Sequence, residues 1–125
     1  MLTMTPTTMP TTMLSTHGVW LLSTPTDMRK SFDGLLALAQ THCRQNVLDG
    51  GLFLFINKRR DRIKILYWDD DGLAIWYKRL EAGTFEAPTA GDQPSVTLTT
   101  TQLSLLLGGV DLASVKHRKR YQRKK

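Results

Sequence analysis

The chain has 125 residues, of which 41% are hydrophobic and 22% charged, as is typical of one soluble globular domain. The single cysteine, Cys43, excludes an internal disulfide framework and a cysteine-rich zinc cluster, so we expect a cytoplasmic protein. No apolar run approaches the roughly 20 residues of a membrane helix. The net charge of +6 is concentrated at the end of the chain, because residues 116–125 contain seven of the 17 Lys and Arg and no acid.

The first elements are a leader, a strand and a helix. Residues 1–16 contain seven threonines, two prolines and no charge, which predicts a disordered leader. Residues 19–22 (VWLL) predict a short strand. A helix capped by Thr26 or Asp27 follows, with Arg29 and Lys30 on its polar face. Its apolar face consists of residues three and four positions apart, namely Met28, Phe32, Leu35, Leu36, Ala39 and Cys43.

The centre of the chain predicts a three-stranded antiparallel meander over residues 52–56, 63–68 and 73–77, separated by two tight turns. If Gly72 takes the left-handed position of a three-residue loop, Asp69 faces Leu73. That register predicts a core face made of Ile63, Ile65, Tyr67, Leu73, Ile75 and Tyr77. The opposite face then mixes aromatic residues with cations, namely Lys64, Leu66, Trp68, Ala74, Trp76 and Lys78.

After the meander we expect a short strand at 95–98 and a brief helix over 102–107, capped by Thr99 or Thr100. The predicted fold class is therefore α+β: a small antiparallel sheet, the meander plus one or two short strands, packed by one main helix and a short C-terminal helix. Residues 17–115 form the single domain, and residues 116–125 form a disordered basic tail.

Candidate catalytic groups are few. The one carboxylate cluster consists of Asp69, Asp70 and Asp71, and it leaves open a Mg²⁺-dependent nuclease. Acidic residues before a glycine are also typical of a hairpin turn, and this is the interpretation we favour. The three histidines have no partner spacing for zinc or a triad, and no glycine-rich phosphate loop opens a helix. We therefore predict no catalytic residue, no metal ligand and no cofactor.

Positive charge is the stronger signal. Lys58, Arg59, Arg60 and Arg62 fill the turn between the first two meander strands, and residues 58–62 are called the basic tip below. A narrow basic hairpin can reach a nucleic-acid groove or follow phosphates. Trp68 and Trp76, between Lys64 and Lys78, could stack on unpaired bases, although burial is the interpretation we favour for them. The predicted nucleic-acid-binding residues are Lys58, Arg59, Arg60, Arg62, Lys64, Lys78, Lys116, Arg118, Lys119, Arg120, Arg123, Lys124 and Lys125.

Three segments carry a resemblance to a known family. Residues 26–38 (TDMRKSFDGLLAL), 51–85 and 101–112 (TQLSLLLGGVDL) resemble the TnpB accessory proteins of the insertion sequence 66 family of bacterial transposable elements. This family is distinct from the far longer RNA-guided nuclease that shares the name. The resemblance implies a small protein needed for efficient transposition, encoded beside a DDE-type transposase, and it supplies no catalytic residues.

The residues and the resemblance together predict a non-enzymatic accessory factor for transposition that binds DNA at the element's ends and assists the transposase. The expected partners are that DNA, the cognate DDE-type transposase and, as a further candidate, a second accessory protein; no membrane partner is expected. The alternative is a protein–protein adaptor that contacts the transposase without touching DNA.

Overall fold

The computed structural model describes residues 17–88, 91–108, 110–111 and 116–117. The predicted leader and residues 118–125 of the predicted tail lie outside this range. The strands are β1 (Val19–Leu22), β2 (Leu52–Ile56), β3 (Arg62–Asp69), β4 (Gly72–Arg79), β5 (Ser95–Leu98), β6 (Val110–Asp111) and β7 (Lys116–His117). The helices are α1 (Phe32–Leu38), which continues as a π-helical turn (Ala39–Cys43), a 3₁₀ turn (Val47–Asp49) and α2 (Thr100–Gly108).

Five strands form one sheet in the order β4-β3-β2-β1-β5, and the predicted α+β class is confirmed. Strands β2, β3 and β4 are the predicted antiparallel meander. Strand β1 runs parallel to β2, because α1 returns the chain to the opposite end of the sheet before β2 begins. This connection places the start of α1 at the end of the sheet where β2 turns into β3.

Both faces of the sheet are buried. Strand β2 is buried along its whole length, which is typical of a central strand covered on both sides. One face packs against α2 and Phe85, through Val19, Leu21, Leu52, Leu54, Ile56, Ile63, Ile65, Tyr67, Leu98, Leu103, Leu106 and Leu107. The other face packs against α1 and the turns that follow it, through Leu22, Phe53, Phe55, Leu66, Leu35, Ala39, Cys43 and Val47.

The β3–β4 turn differs from its prediction by one residue. Asp69 pairs with Gly72, so the loop contains two residues, and Asp70 has the positive φ of 54° that was predicted for Gly72. The amide of Asp71 donates to the carbonyl of Asp69 at 2.5 Å. Asp is one of the few residue types other than glycine that adopt this conformation without a large steric cost.

The shift exchanges the two faces of β4, so the predicted faces were wrong for that strand. Residues 74, 76 and 78 of β4 share the α2 face with residues 63, 65 and 67 of β3, and residues 73, 75 and 77 share the α1 face with residues 64, 66 and 68. Trp68 and Trp76 consequently lie on opposite faces, both half-buried, and form no common stacking surface.

Helix α1 begins four to five residues later than predicted. Asp27 Oδ1 accepts a hydrogen bond from the amide of Arg29 at 2.9 Å, and the amide of Lys30 donates to the Asp27 carbonyl at 3.1 Å, so residues 27–30 form a turn. The ammonium of Lys64 donates to the carbonyls of Met28 and Lys30, at 2.7 Å each. Those two carbonyls are therefore engaged by a side chain, and helical hydrogen bonding starts at the Ser31 carbonyl, which accepts from the amide of Leu35 at 2.9 Å.

The short C-terminal helix is confirmed, together with Thr99 as its cap. Thr99 Oγ1 accepts from the amide of Gln102 at 3.0 Å, and Gln102 Oε1 accepts from the amide of Thr99 at 2.8 Å, which is a capping box. Beyond α2, strand β6 pairs with β7, so Lys116 and His117 of the predicted tail are in a two-residue strand. The division of the chain into leader, domain and tail stays a prediction.

Candidate nucleic-acid interface

The basic tip connects β2 to β3, and Asn57 fixes its conformation. Asn57 Nδ2 donates to Asp61 Oδ1 at 2.7 Å, and Asn57 Oδ1 accepts from the amides of Asp61 and Arg62 at 3.1 and 3.0 Å. The amide of Arg60 donates to the Asn57 carbonyl at 3.0 Å, which closes a four-residue turn. One side chain therefore holds both ends of the turn.

The basic tip is also attached to the segment that follows β4. The Arg60 carbonyl accepts from the amide of Phe85 at 2.7 Å, and the Asp61 carbonyl accepts from the amide of Leu80 at 2.7 Å. Arg60 itself has a φ of 61°, a left-handed conformation that costs a long side chain roughly 1 kcal/mol. Phe85 is completely buried, so the tip is anchored to the core through its backbone.

Three of the four cations of the basic tip, Lys58, Arg59 and Arg60, are exposed. Neither of the two ion pairs formed within the described residues, Arg29 with Asp27 and Arg79 with Glu81, involves the tip. Arg62 is half-buried, and its Nη1 donates to the hydroxyl of Tyr77 at 3.3 Å.

Asp61 is the one acid within the tip. Its hydrogen bond from Asn57 lowers the pKa of its carboxyl below the ordinary value, and the charges of Arg59 and Arg62 lower that pKa further. The carboxyl therefore stays ionised and bonded to Asn57 near neutral pH. The basic tip carries four cations against this single carboxylate, so its local charge is strongly positive.

An open cleft of about 450 Å³ lies beside the basic tip. One wall is the segment of residues 25–28, and the other is formed by Asn57, Lys58, Arg59, Asp61 and Arg62. Arg29 and Lys30, both exposed, follow this segment in the chain, and pairing with Arg29 lowers the pKa of the Asp27 carboxyl to about 2.

Two of the lysines predicted to bind nucleic acid lie elsewhere. Lys64 is only 8% exposed, and besides its two carbonyl acceptors its ammonium lies 4.8 Å from the centroid of the Tyr77 ring. It stabilises the junction between β3 and the segment before α1, and it does not face solvent. Lys78 is half-buried on the α2 face, opposite Ile63, and lines a cleft with Leu107 and Gly108. Of the predicted tail, the structure describes only the backbone of Lys116 and His117.

No group of three His, Cys, Asp or Glu residues that could hold a metal ion occurs in the described part of the chain. Asp70 and Asp71 are exposed turn residues. Cys43 is buried, and its burial raises the pKa of the thiol, which disfavours the nucleophilic thiolate. No helix among the described residues is long and apolar enough to cross a membrane.

The fold and the site together define a small α+β protein whose most distinctive surface feature is a basic hairpin tip held in place by hydrogen bonds. A family model described as IS66 Orf2 like protein (TnpB_IS66) matches residues 17–117. The chain belongs to this family, which confirms the resemblance carried by its three sequence segments. The family is one of accessory transposition proteins and not a known class of enzyme, so membership supports an accessory role associated with an insertion sequence.

Two relatives from Sinorhizobium fredii (strain NBRC 101917 / NGR234) are similar over most of their length. The uncharacterized protein y4hO is 36% identical over 93 residues, which cover 74% of this chain and 80% of the relative. The uncharacterized protein y4jC is 32% identical over 100 residues, which cover 80% of this chain and 85% of the relative. No solved structure gives a significant match.

Proposed function

We propose that this chain is a non-enzymatic accessory factor that binds DNA at the ends of an insertion sequence through the basic tip, and that it assists the transposase there. The observation that carries the proposal is a turn with a fixed backbone whose exposed cations form no ion pair with any other described residue. A turn that is already ordered loses less conformational entropy on binding than a flexible loop does.

The shape of the tip suits DNA. It is a turn at one end of the sheet, where its exposed cations can follow the phosphates of a duplex. Each Lys or Arg that neutralises a phosphate releases condensed counterions, which favours binding at low salt.

The basic tail is proposed to add affinity without sequence preference. Its seven cations, Lys116, Arg118, Lys119, Arg120, Arg123, Lys124 and Lys125, are well suited to general phosphate contact. Lys64 is left out of the proposed interface because its ammonium is buried. Lys78 is also left out because it lies on the α2 face.

The test is to remove the charge of the basic tip while keeping its backbone. We suggest Lys58→Gln, Arg59→Gln and Arg60→Asn together, because asparagine tolerates the left-handed conformation at position 60. Binding of the full chain to a duplex carrying the element's end should weaken about tenfold or more at moderate salt. The frequency of transposition should fall in parallel, while the melting temperature stays close to that of the wild type.

Arg44→Asn is a matched control. Arg44 is exposed and has a φ of 55°, and it follows α1 at the end of the sheet opposite the tip. This control should bind DNA almost normally. If the tip variant folds and binds DNA as the wild type does, the tip is not a DNA interface. If that variant also loses transposition, the result supports the adaptor alternative.

A further inference from the structure

Strand β4 forms an open edge of the sheet. It is eight residues long, and among the described residues it pairs only with β3. Its central residues 73–77 (LAIWY) contain no charge and no proline. Natural sheets usually protect such edges with charged residues, proline or a bulge, because unpaired amides and carbonyls can pair with another strand. The centre of β4 has none of these side chains.

Apolar side chains flank this edge on both faces. On the α1 face, Tyr77 is 48% exposed, and Phe32 of α1, the helix that contacts β4, is 43% exposed. Leu73 and Ile75 are half-buried on the same face, and Trp76 is half-buried on the other. A strand added beside β4 would therefore cover apolar surface in addition to completing backbone hydrogen bonds.

The charges at the two ends of β4 indicate which strand fits. Asp70 and Asp71 precede the strand, whereas Lys78 and Arg79 end it. A parallel copy of β4 would place like charges beside each other. An antiparallel copy places the acidic start of one strand beside the basic end of the other, which is favourable for cross-strand pairs. The strand is thus complementary to itself in one orientation.

We propose that β4 pairs antiparallel with β4 of a second copy of this chain, about a twofold axis at Ile75. Leu73 then faces Tyr77 of the second copy and Ala74 faces Trp76, so the central pairs are apolar on both faces. Asp71 of each copy faces Arg79 of the other copy, so this pair occurs twice, once on each side of the axis. Arg79 Nε donates to Glu81 Oε2 at 2.8 Å, and its two terminal nitrogens, which bond no other described residue, can donate to Asp71. The result is a symmetric dimer with one continuous ten-stranded sheet.

The dimer has a consequence for DNA that rests on the proposed function. Arg62, at the base of the basic tip, pairs with Arg79, four residues from the axis. Antiparallel pairing of the two β4 strands places the two tips at opposite ends of the shared sheet, directed away from each other. Each tip therefore meets DNA independently of the other, and one dimer could hold two separate segments of DNA.

The test is sedimentation of the full chain without DNA, at concentrations from micromolar to submillimolar. The wild type should show a monomer–dimer equilibrium. Asp71→Arg or Arg79→Asp alone should raise the dissociation constant of the dimer about tenfold, because each creates two like-charge pairs per dimer. The double variant restores opposite charges and should return the constant to near its original value. Asp49→Arg, an exposed charge reversal in the 3₁₀ turn, is the control and should have little effect.

Cross-linking gives an independent measurement of the same contact. Ile75→Cys should form an intermolecular disulfide on mild oxidation, because position 75 meets its own copy at the axis, whereas Thr97→Cys on the other edge strand, β5, should not. A wild type that stays monomeric, a dimer unaffected by both single charge reversals, or cross-linking through position 97 instead would each overturn the proposal. These outcomes leave the DNA-binding test untouched, because no DNA is present.

Discussion

Replacing Asn57 with alanine separates the order of the basic tip from its charge. The Asn57 side chain makes three hydrogen bonds, one of them to the ionised Asp61 carboxylate. Neutral hydrogen bonds contribute about 0.5–1.5 kcal/mol each and a charged one somewhat more, so the half-buried set contributes about 2–3 kcal/mol in total. For a domain of this size that loss lowers the melting temperature by roughly 8–20 °C.

The same variant leaves every cation in place. We expect it to bind DNA several-fold more weakly than the wild type at a temperature where both are folded, because a disordered turn must be ordered on binding. The measurements are a thermal melt and DNA titration by fluorescence anisotropy. An unchanged melting temperature would refute the assignment of the turn's stability to Asn57. Unchanged affinity in a destabilised protein would refute the role of preorganisation.

The effect of Asn57→Ala should also depend on pH. The folded-state pKa of Asp61 is lowered, so its stabilising contribution is fully present above the ordinary aspartate pKa near 4 and is lost as the pH falls through the lowered value. The difference in stability between wild type and Asn57→Ala should therefore shrink upon acidification through that window. A difference that stays constant down to the lowest pH at which both proteins fold would contradict a contribution from ionised Asp61.

Three further predictions concern the turn, the buried lysine and the tail. Asp70→Gly should raise the melting temperature by a few degrees, because position 70 has the positive φ, and Gly72→Ala should be neutral or mildly stabilising. A destabilising Gly72→Ala beside an Asp70→Gly that is not stabilising would indicate the three-residue loop instead. Lys64→Met should lower the free energy of unfolding, measured by chemical denaturation, by about 2–4 kcal/mol, because it leaves two carbonyls without their donor. A decrease of less than about 1 kcal/mol would contradict a structural role for the Lys64 ammonium. Truncation after His117 removes six Lys and Arg, so the slope of log affinity against log salt should become less negative by up to about 5, equally for all DNA sequences. A loss of preference for the element's ends would instead make the tail a specificity determinant.

Local sequence signals were sufficient for the elements and the tip. The meander strands agree with their predicted ranges to within a residue or two at each end, and the capping box of Thr99 and Gln102 is readable from residue types and spacing alone. The basic tip was also identifiable, because four of its five residues are cations and they follow a strongly apolar strand. These features depend on residues close together in sequence.

The register of β4 was not predictable in the same way. Alternation of apolar and polar residues fixes register when one face is buried, but here α1 and α2 cover both faces. Residues on either face of β4 are apolar, so a slip of one residue leaves the pattern acceptable. The choice then depended on which residue of the turn has a positive φ, and the usual preference for glycine pointed to the wrong position.

The start of α1 depended on a contact that is distant in sequence. The apolar spacing of Met28 and Phe32 is compatible with a helix from residue 28 onward. Lys64, more than 30 residues away, engages the carbonyls that such a helix would need. The local signal that could have been recognised is Asp27, whose side chain can accept from an amide two residues later and so favours a turn.

The salt dependence of DNA binding tests the central claim most directly, with the tail removed so that the basic tip is measured by itself. For the chain ending at His117, replacing Lys58, Arg59 and Arg60 as described should make the slope of log affinity against log salt less negative by about 3, which corresponds to three phosphate contacts. The Arg44→Asn control should leave the slope unchanged. An identical slope in the tip variant and the truncated wild type would contradict DNA binding by the basic tip.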